Sequence, residues 1–403
     1  MSKYPYRIAL INFFIAAILG LILRLGGIHA LEGFNFSYLL HAHSHTALLG
    51  WCYLALYLLL TQYYGANSAY AERYYGRLFL LSQLSVIGML CSFPIQGYGA
   101  VSISFSSLQI ICSYAFAITL WRSNSAKTKL ESLLLKTSLF FLLVSTLGIF
   151  ALGPITQHYG KDSAWYKIAI QFYLHFQFNG WLLFAVLSLI IREYFPIASV
   201  TKNLFAYVLM VLSTLLSFSL PLSWHYTSTT LSYAIGGAGI MQVLAFLLVI
   251  REAQIKWKYQ RVVQKSTATL LRNFALFSLA LRVIMQLSTL WPSVATASFT
   301  LRPWTIGFIH LNMLGIVSGF ILWLFWLKRI IPNNKTSTIS LSLFIISFTI
   351  TEFILFAEGI HVFYSFSTPP YTRLLLMYSS IGLPFGILGL LLSSLRFKRA
   401  TIK

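Results

Sequence analysis

Twelve stretches of this chain run about twenty residues with almost no charge, the length needed to cross the hydrocarbon core of a bilayer. Their limits are 7–28, 38–62, 76–95, 99–121, 132–153, 166–191, 203–222, 229–250, 270–290, 303–327, 338–360 and 374–395. A backbone in lipid must satisfy its own hydrogen bonds, and apolar runs of this length without period-two alternation are helices. The expected fold is therefore all-α, a polytopic membrane protein with twelve transmembrane helices. Composition supports this. Only 9% of the 403 residues are charged, 58% are hydrophobic and mean hydropathy is +0.76, whereas a soluble domain carries about 25% charged residues. A soluble enzyme, a disordered chain and a secreted disulfide scaffold are excluded. The net charge of +21 would suggest a nucleic-acid partner if it lay on a folded aqueous surface. On this chain the expected partner is membrane lipid, with no nucleic acid.

The first run, preceded by Lys3 and Arg7, is too long for a signal peptide, contains Arg24 and lacks an A-x-A cleavage site, so it reads as the first span. Connections are short, and the longest polar stretch, 251–269, is a basic loop. Sorting Lys and Arg by side puts 23 on the side of the two termini and 6 on the other. The positive-inside rule then places both termini in the cytoplasm of a cell inner (cytoplasmic) membrane protein.

The nine histidines all fall toward the opposite, outer side of this threading. His29 ends span 1, His41, His43 and His45 begin span 2, and His158 follows span 5. His175 is early in span 6, His225 follows span 7, His310 is early in span 10 and His361 ends span 11. Three of them repeat in context: His45-Thr-Ala-Leu-Leu-Gly50, His175-Phe-Gln-Phe-Asn-Gly180 and His310-Leu-Asn-Met-Leu-Gly315. Each is H-x4-G, and each lies four spans from the next. The chain thus reads as one transmembrane domain of three pseudo-repeated four-helix arcs, about 1–125, 126–265 and 266–403, each with a histidine at the same depth of its second helix. Glycine five residues on permits a close approach by a neighbouring helix or a flat ligand. A packing role, with the ring bonded to a neighbouring backbone, is the plainer alternative.

Several neutral imidazoles in an apolar helical site suit haem iron or copper. Cys52, Cys91 and Cys112 are scattered, with no C-x-x-C, and carboxylates near the histidines are few, which disfavours thiolate, calcium or magnesium sites. His41 and His45 share one helix face and His43 points about 160° away, so one face can hold a haem ligand while the other serves a second purpose.

On these residues the chain resembles the haem-copper oxidase subunit I superfamily, which includes nitric oxide reductases. The resemblance implies a haem, b-type, and copper or non-haem iron as a second metal. By position His45 and His310 resemble the haem ligands, with His41 on the same face. His175 and His225 resemble the second-metal ligands, a set that His43 and His361 could complete. Arg373, Arg302 and, in the outer part of span 1, Arg24 stand where propionates would be bound. The implied activity is that of a terminal oxidase or nitric oxide reductase-like oxidoreductase of a respiratory chain, moving electrons from quinol or a small redox subunit to oxygen or nitric oxide. The sequence departs from the family in having Phe308 and Asn312 beside a single span 10 histidine, Trp224-His225-Tyr226 after span 7, and Asn179 in span 6. Which family histidine His310 matches stays open. The alternative reading is a non-catalytic transporter, or an assembly or nitric-oxide-response factor, whose outer histidines bind a metal or protons. Finally, Arg282 in span 9 and Glu352 in span 11 lie at similar depth and are expected to pair, and Gly236, Gly237 and Gly239 in span 8 are expected to serve tight helix packing.

Overall fold

The computed structural model describes residues 3–29, 33, 35–123, 125–194, 200–259 and 266–396. Among these residues there is no strand, and twelve helices are long and apolar enough to cross a membrane. They are α1 (Tyr4–Gly26), α2 (Phe36–Tyr64), α3 (Ala69–Gln96), α4 (Ala100–Ser123), α5 (Lys129–Tyr159), α6 (Ala164–Glu193), α7 (Leu204–Ser223), α8 (Thr229–Arg251), α9 (Thr267–Ser288), α10 (Arg302–Leu327), α11 (Lys335–Phe363) and α12 (Thr372–Arg396). The protein is an all-α polytopic membrane protein. Each helix overlaps one of the twelve stretches expected from hydropathy, eight of which lie wholly within their helices while the other four overrun an end by one or two residues.

Several helices begin earlier than hydropathy alone predicts, because a polar cap and first turn precede the apolar run. Ser68, Thr128, Ser163 and Asn334 each accept the backbone N–H three residues on, at 2.8–3.2 Å. Thr128 and Glu131 form a reciprocal capping box. Such caps satisfy donors that helix geometry leaves orphaned.

Three helices are inner and nine are outer. In α2, α6 and α10, 78% of the most apolar eighteen-residue stretch is buried, against 28–44% in the others. The inner three touch one another: Trp51 Nε1 donates to Ser318 Oγ at 2.8 Å, Tyr64 OH donates to Ser188 O at 2.9 Å, and the Tyr53 and Trp181 rings lie 6.2 Å apart. Toward the end that carries the termini, their shared interior is a dry plug of Leu54–Leu60, Leu182–Leu189 and Phe320–Trp326. Around them the outer helices close a ring, with α4 on α5, α8 on α9, and α12 back on α1. Arg7 Nη2 donates to Ser394 O, and Lys3 Nζ to Arg329 O, tying the start of α1 to the end of α12 and the α10–α11 turn.

At the same point of each inner helix the α-helix widens into π-helical turns: Thr46–Tyr53, Phe176–Leu182 and Leu311–Ser318. His45, His175 and His310 each stand immediately before one. The five-residue step of H-x4-G is the reach of a π-helical hydrogen bond. The glycine lies where the preceding outer helix crosses. A Cβ on Gly50 would meet Asn12 of α1, on Gly180 Phe141 of α5, and on Gly315 Ser278 of α9. The three units thus share one local plan as well as one motif.

Candidate functional site

Depth follows from helix rise. His45, His175 and His310 lie 9, 11 and 8 residues into their helices, roughly 12–16 Å below the end of the bundle away from the termini. Each points toward the next helix in the chain, but each meets different chemistry there.

His45 meets aromatic rings. Its Nδ1–H donates to His41 O at 2.9 Å, and its ring lies 4.4 Å from Phe93 of α3 and 6.0 Å from Tyr98. His41 joins the same group, 4.6 Å from Tyr98.

His310 meets an acid. Its Nδ1 lies 3.6 Å from Glu352 Oε1 of α11, and that oxygen is buried without a hydrogen-bond partner. His43, facing away from His45, belongs to this group. Its Nδ1–H donates to Ala16 O of α1 at 2.9 Å, and Gly20 leaves its ring room, since a Cβ there would come within 3.0 Å of Cε1. His43 lies within electrostatic range of His310, and Arg24 within range of both, as well as of Glu352, Glu358 and Arg302. Above them, Arg373 Nη1 donates to Gly27 O at 3.3 Å, and Arg302 lies 5.8 Å over the Phe36 ring. Three arginines therefore gather around the distal end of α1 over His43 and His310.

His175 meets a backbone and an amide. Its Nε2–H donates to Thr214 O of α7 at 2.8 Å, and its Nδ1 accepts from Asn179 Nδ2 at 3.0 Å. Asn179 Oδ1 in turn accepts from Arg282 Nη2 of α9 at 2.7 Å. Both ring nitrogens are engaged, so the imidazole as it stands has no lone pair to offer a metal.

Three expectations change. The α2 histidine beside His310 is His43, not His45, because two residues along an α-helix is a 200° turn and His45 faces α3. Arg282 pairs with Asn179 and not with Glu352, which faces His310. The residues expected to hold copper or non-haem iron do not assemble. His175 is saturated, His225 lies 5.5 Å from the Phe299 ring, His361 Nδ1 bonds Ser367 O at 3.2 Å, and His43 sits with His310. Among the described residues no group of three or more His, Cys, Asp or Glu can hold a metal ion. His225 lies beyond α7; partial burial, then the nearby Lys167 cation, lowers its proton affinity.

Asn12 was not singled out from sequence. Its Nδ2 donates to Gly50 O at 2.9 Å and to Gln83 Oε1 at 2.7 Å, covering a carbonyl that the widened turn of α2 exposes. An amide in the middle of an apolar run is the signal that could have found it. In α8, Gly239 backs onto Leu287 of α9 and Gly236 onto the Leu290 side chain just beyond it, but Gly237 faces open space, so the expected tight packing does not extend to all three glycines.

Compared with known proteins, the sequence matches no family and no curated protein.

Proposed function

We propose that this protein binds a b-type haem among α1, α2, α10 and α11 and passes electrons through it, on the plan that the haem-copper oxidase subunit I superfamily uses. In this reading His43 and His310 would hold the haem iron, and Arg24, Arg302 and Arg373 would bind its propionates. When bound, such a haem supplies one-electron chemistry. The observation that carries the reading is that His43, held by Ala16 O in a space opened by Gly20, comes within electrostatic range of His310 beneath three arginines.

The residues fit such a group. His43 gives its Nδ1–H to Ala16 O, which fixes the tautomer and leaves Nε2 as the lone-pair nitrogen, as backbone carbonyls do when they hold the far ring N–H of a metal-bound histidine. No hydrogen bond engages Nε2 of His310 among the described residues. Guanidinium groups suit carboxylates through paired hydrogen bonds. The side chains expected to form a second metal centre do not fit one, so the reading stops at haem binding and electron transfer. The basic end of the bundle faces the cytoplasm in this reading.

The test is a reduced-minus-oxidised visible spectrum of protein purified from haem-sufficient cells. A low-spin haem signal is expected, lost in His43→Ala and in His310→Ala and kept in His45→Ala. Protein without haem, or loss in His45→Ala with retention in His43→Ala, overturns the assignment.

One observation favours a second reading, proton transfer without haem: the unbonded Glu352 Oε1 beside His310. An ionisable pair at that depth can carry a proton. Haem-free protein in liposomes would then move protons, and Glu352→Gln would abolish the movement.

A further inference from the structure

Arg282 is the inner-region cation that nothing explains. It is 2% exposed, six residues from the distal end of α9, roughly 9 Å deep. Among the described residues its only hydrogen bond goes to a neutral amide, Asn179. No carboxylate among the described residues lies within electrostatic reach of it, and burial alone bears on its charge. Its Nε is buried without an acceptor.

One turn on, Gln286 occupies the same face of α9. It is 6% exposed, and its Nε2 is likewise buried without an acceptor. Two orphaned donors and one uncompensated positive charge share a face. Water would satisfy the donors but not the charge. A carboxylate would satisfy both, yet none is near among the described residues. Buried charges are paired, and buried donors are bonded, in stable interiors.

We propose that a small monovalent anion, of the size of chloride or nitrite, binds here against Arg282 Nε and Gln286 Nε2. One charge balances one guanidinium, whereas a divalent anion would leave an excess negative charge in a dry interior. The connection beyond α9 contains the short helix Pro292–Thr300. That helix is held by Trp224 Nε1 donating to Ala295 O at 3.1 Å and by Thr305 Oγ1 donating to Ser298 O at 3.0 Å. Hydrogen bonds link Arg282 through Asn179 to His175, which lies within electrostatic range of Arg282.

The experiment is thermal unfolding of the detergent-solubilised protein in sodium gluconate, titrated with sodium chloride or sodium nitrite at constant ionic strength. A saturable rise in the unfolding midpoint is expected for the wild type and no rise for Arg282→Gln. Gln286→Leu keeps the Arg282–Asn179 bond and should need at least about tenfold more anion for half the effect, the loss of one hydrogen bond to a charged ligand. An equal midpoint in all three salts overturns the proposal, as does an unchanged response in Arg282→Gln. If that variant does not fold, unaltered half-saturation in Gln286→Leu overturns it. His43→Ala should respond to anion as the wild type does, which separates this site from the haem reading.

Discussion

At the scale of single residues, the glycines of the three H-x4-G sequences are not equivalent. A Cβ on Gly180 would lie 2.6 Å from Cβ and Cγ of Phe141, whereas on Gly50 it would meet Val86 at 3.0 Å and Asn12 at 3.1 Å. A ring anchored at its own Cβ cannot swing aside, so Gly180→Ala should destabilise the solubilised protein more than Gly50→Ala. Overpacking of this kind costs roughly 1–3 kcal/mol, and unfolding midpoints of the two variants decide the order. Asn12→Leu removes the donor to Gly50 O and the partner of Gln83. It should cost about 1–3 kcal/mol, the penalty of stranding buried polar groups. Depth was legible for such residues, because position along a span follows from counting. Azimuth was not. His43 and His45 differ by two positions and face opposite helices, and Arg282 and Glu352 meet different partners, Asn179 and His310. Which neighbour a side chain meets depends on how each helix is rotated, and that is decided by packing across the whole bundle.

At the scale of the element, hydrophobic length located all twelve helices, since nothing else can be done with twenty apolar residues in lipid. The polar caps at Ser68, Thr128, Ser163 and Asn334 were readable too, but a hydropathy boundary discards them. The π-helical turns were not readable. Their trace in the sequence is the repeated five-residue step from His to Gly, which also suits an ordinary packing motif. A π-bulge absorbs one extra residue within an α-helix, so deleting Met313 should restore regular α geometry while the flanks of α10 stay close to their present register. The haem signal proposed above should then persist in a variant that inserts and purifies as a monodisperse protein, and its loss would show that the widened turn itself aims His310. Ser318 ties this element to its neighbour, accepting from Trp51 Nε1 and donating to Met313 O at 2.7 Å. A double-mutant cycle of Ser318→Ala with Trp51→Phe should give a coupling of about 0.5–3 kcal/mol.

At the scale of the whole molecule, the asymmetry of basic residues predicts which way the bundle faces. A reporter active only in the cytoplasm should work when fused to either terminus and fail when inserted between Tyr159 and Ser163. The reverse pattern would invert the orientation. Three units that look alike in sequence have diverged in what their histidines face: aromatic rings in the first, an amide and a buried arginine in the second, an acid and a second histidine in the third. The closure of α12 onto α1 through Arg7 and Ser394 has a consequence for connectivity. A ring of helices whose first and last members pack together can in principle be opened at another connection. Joining the two ends with a short flexible linker and opening the chain in the α4–α5 connection should give a circularly permuted protein with the same topology.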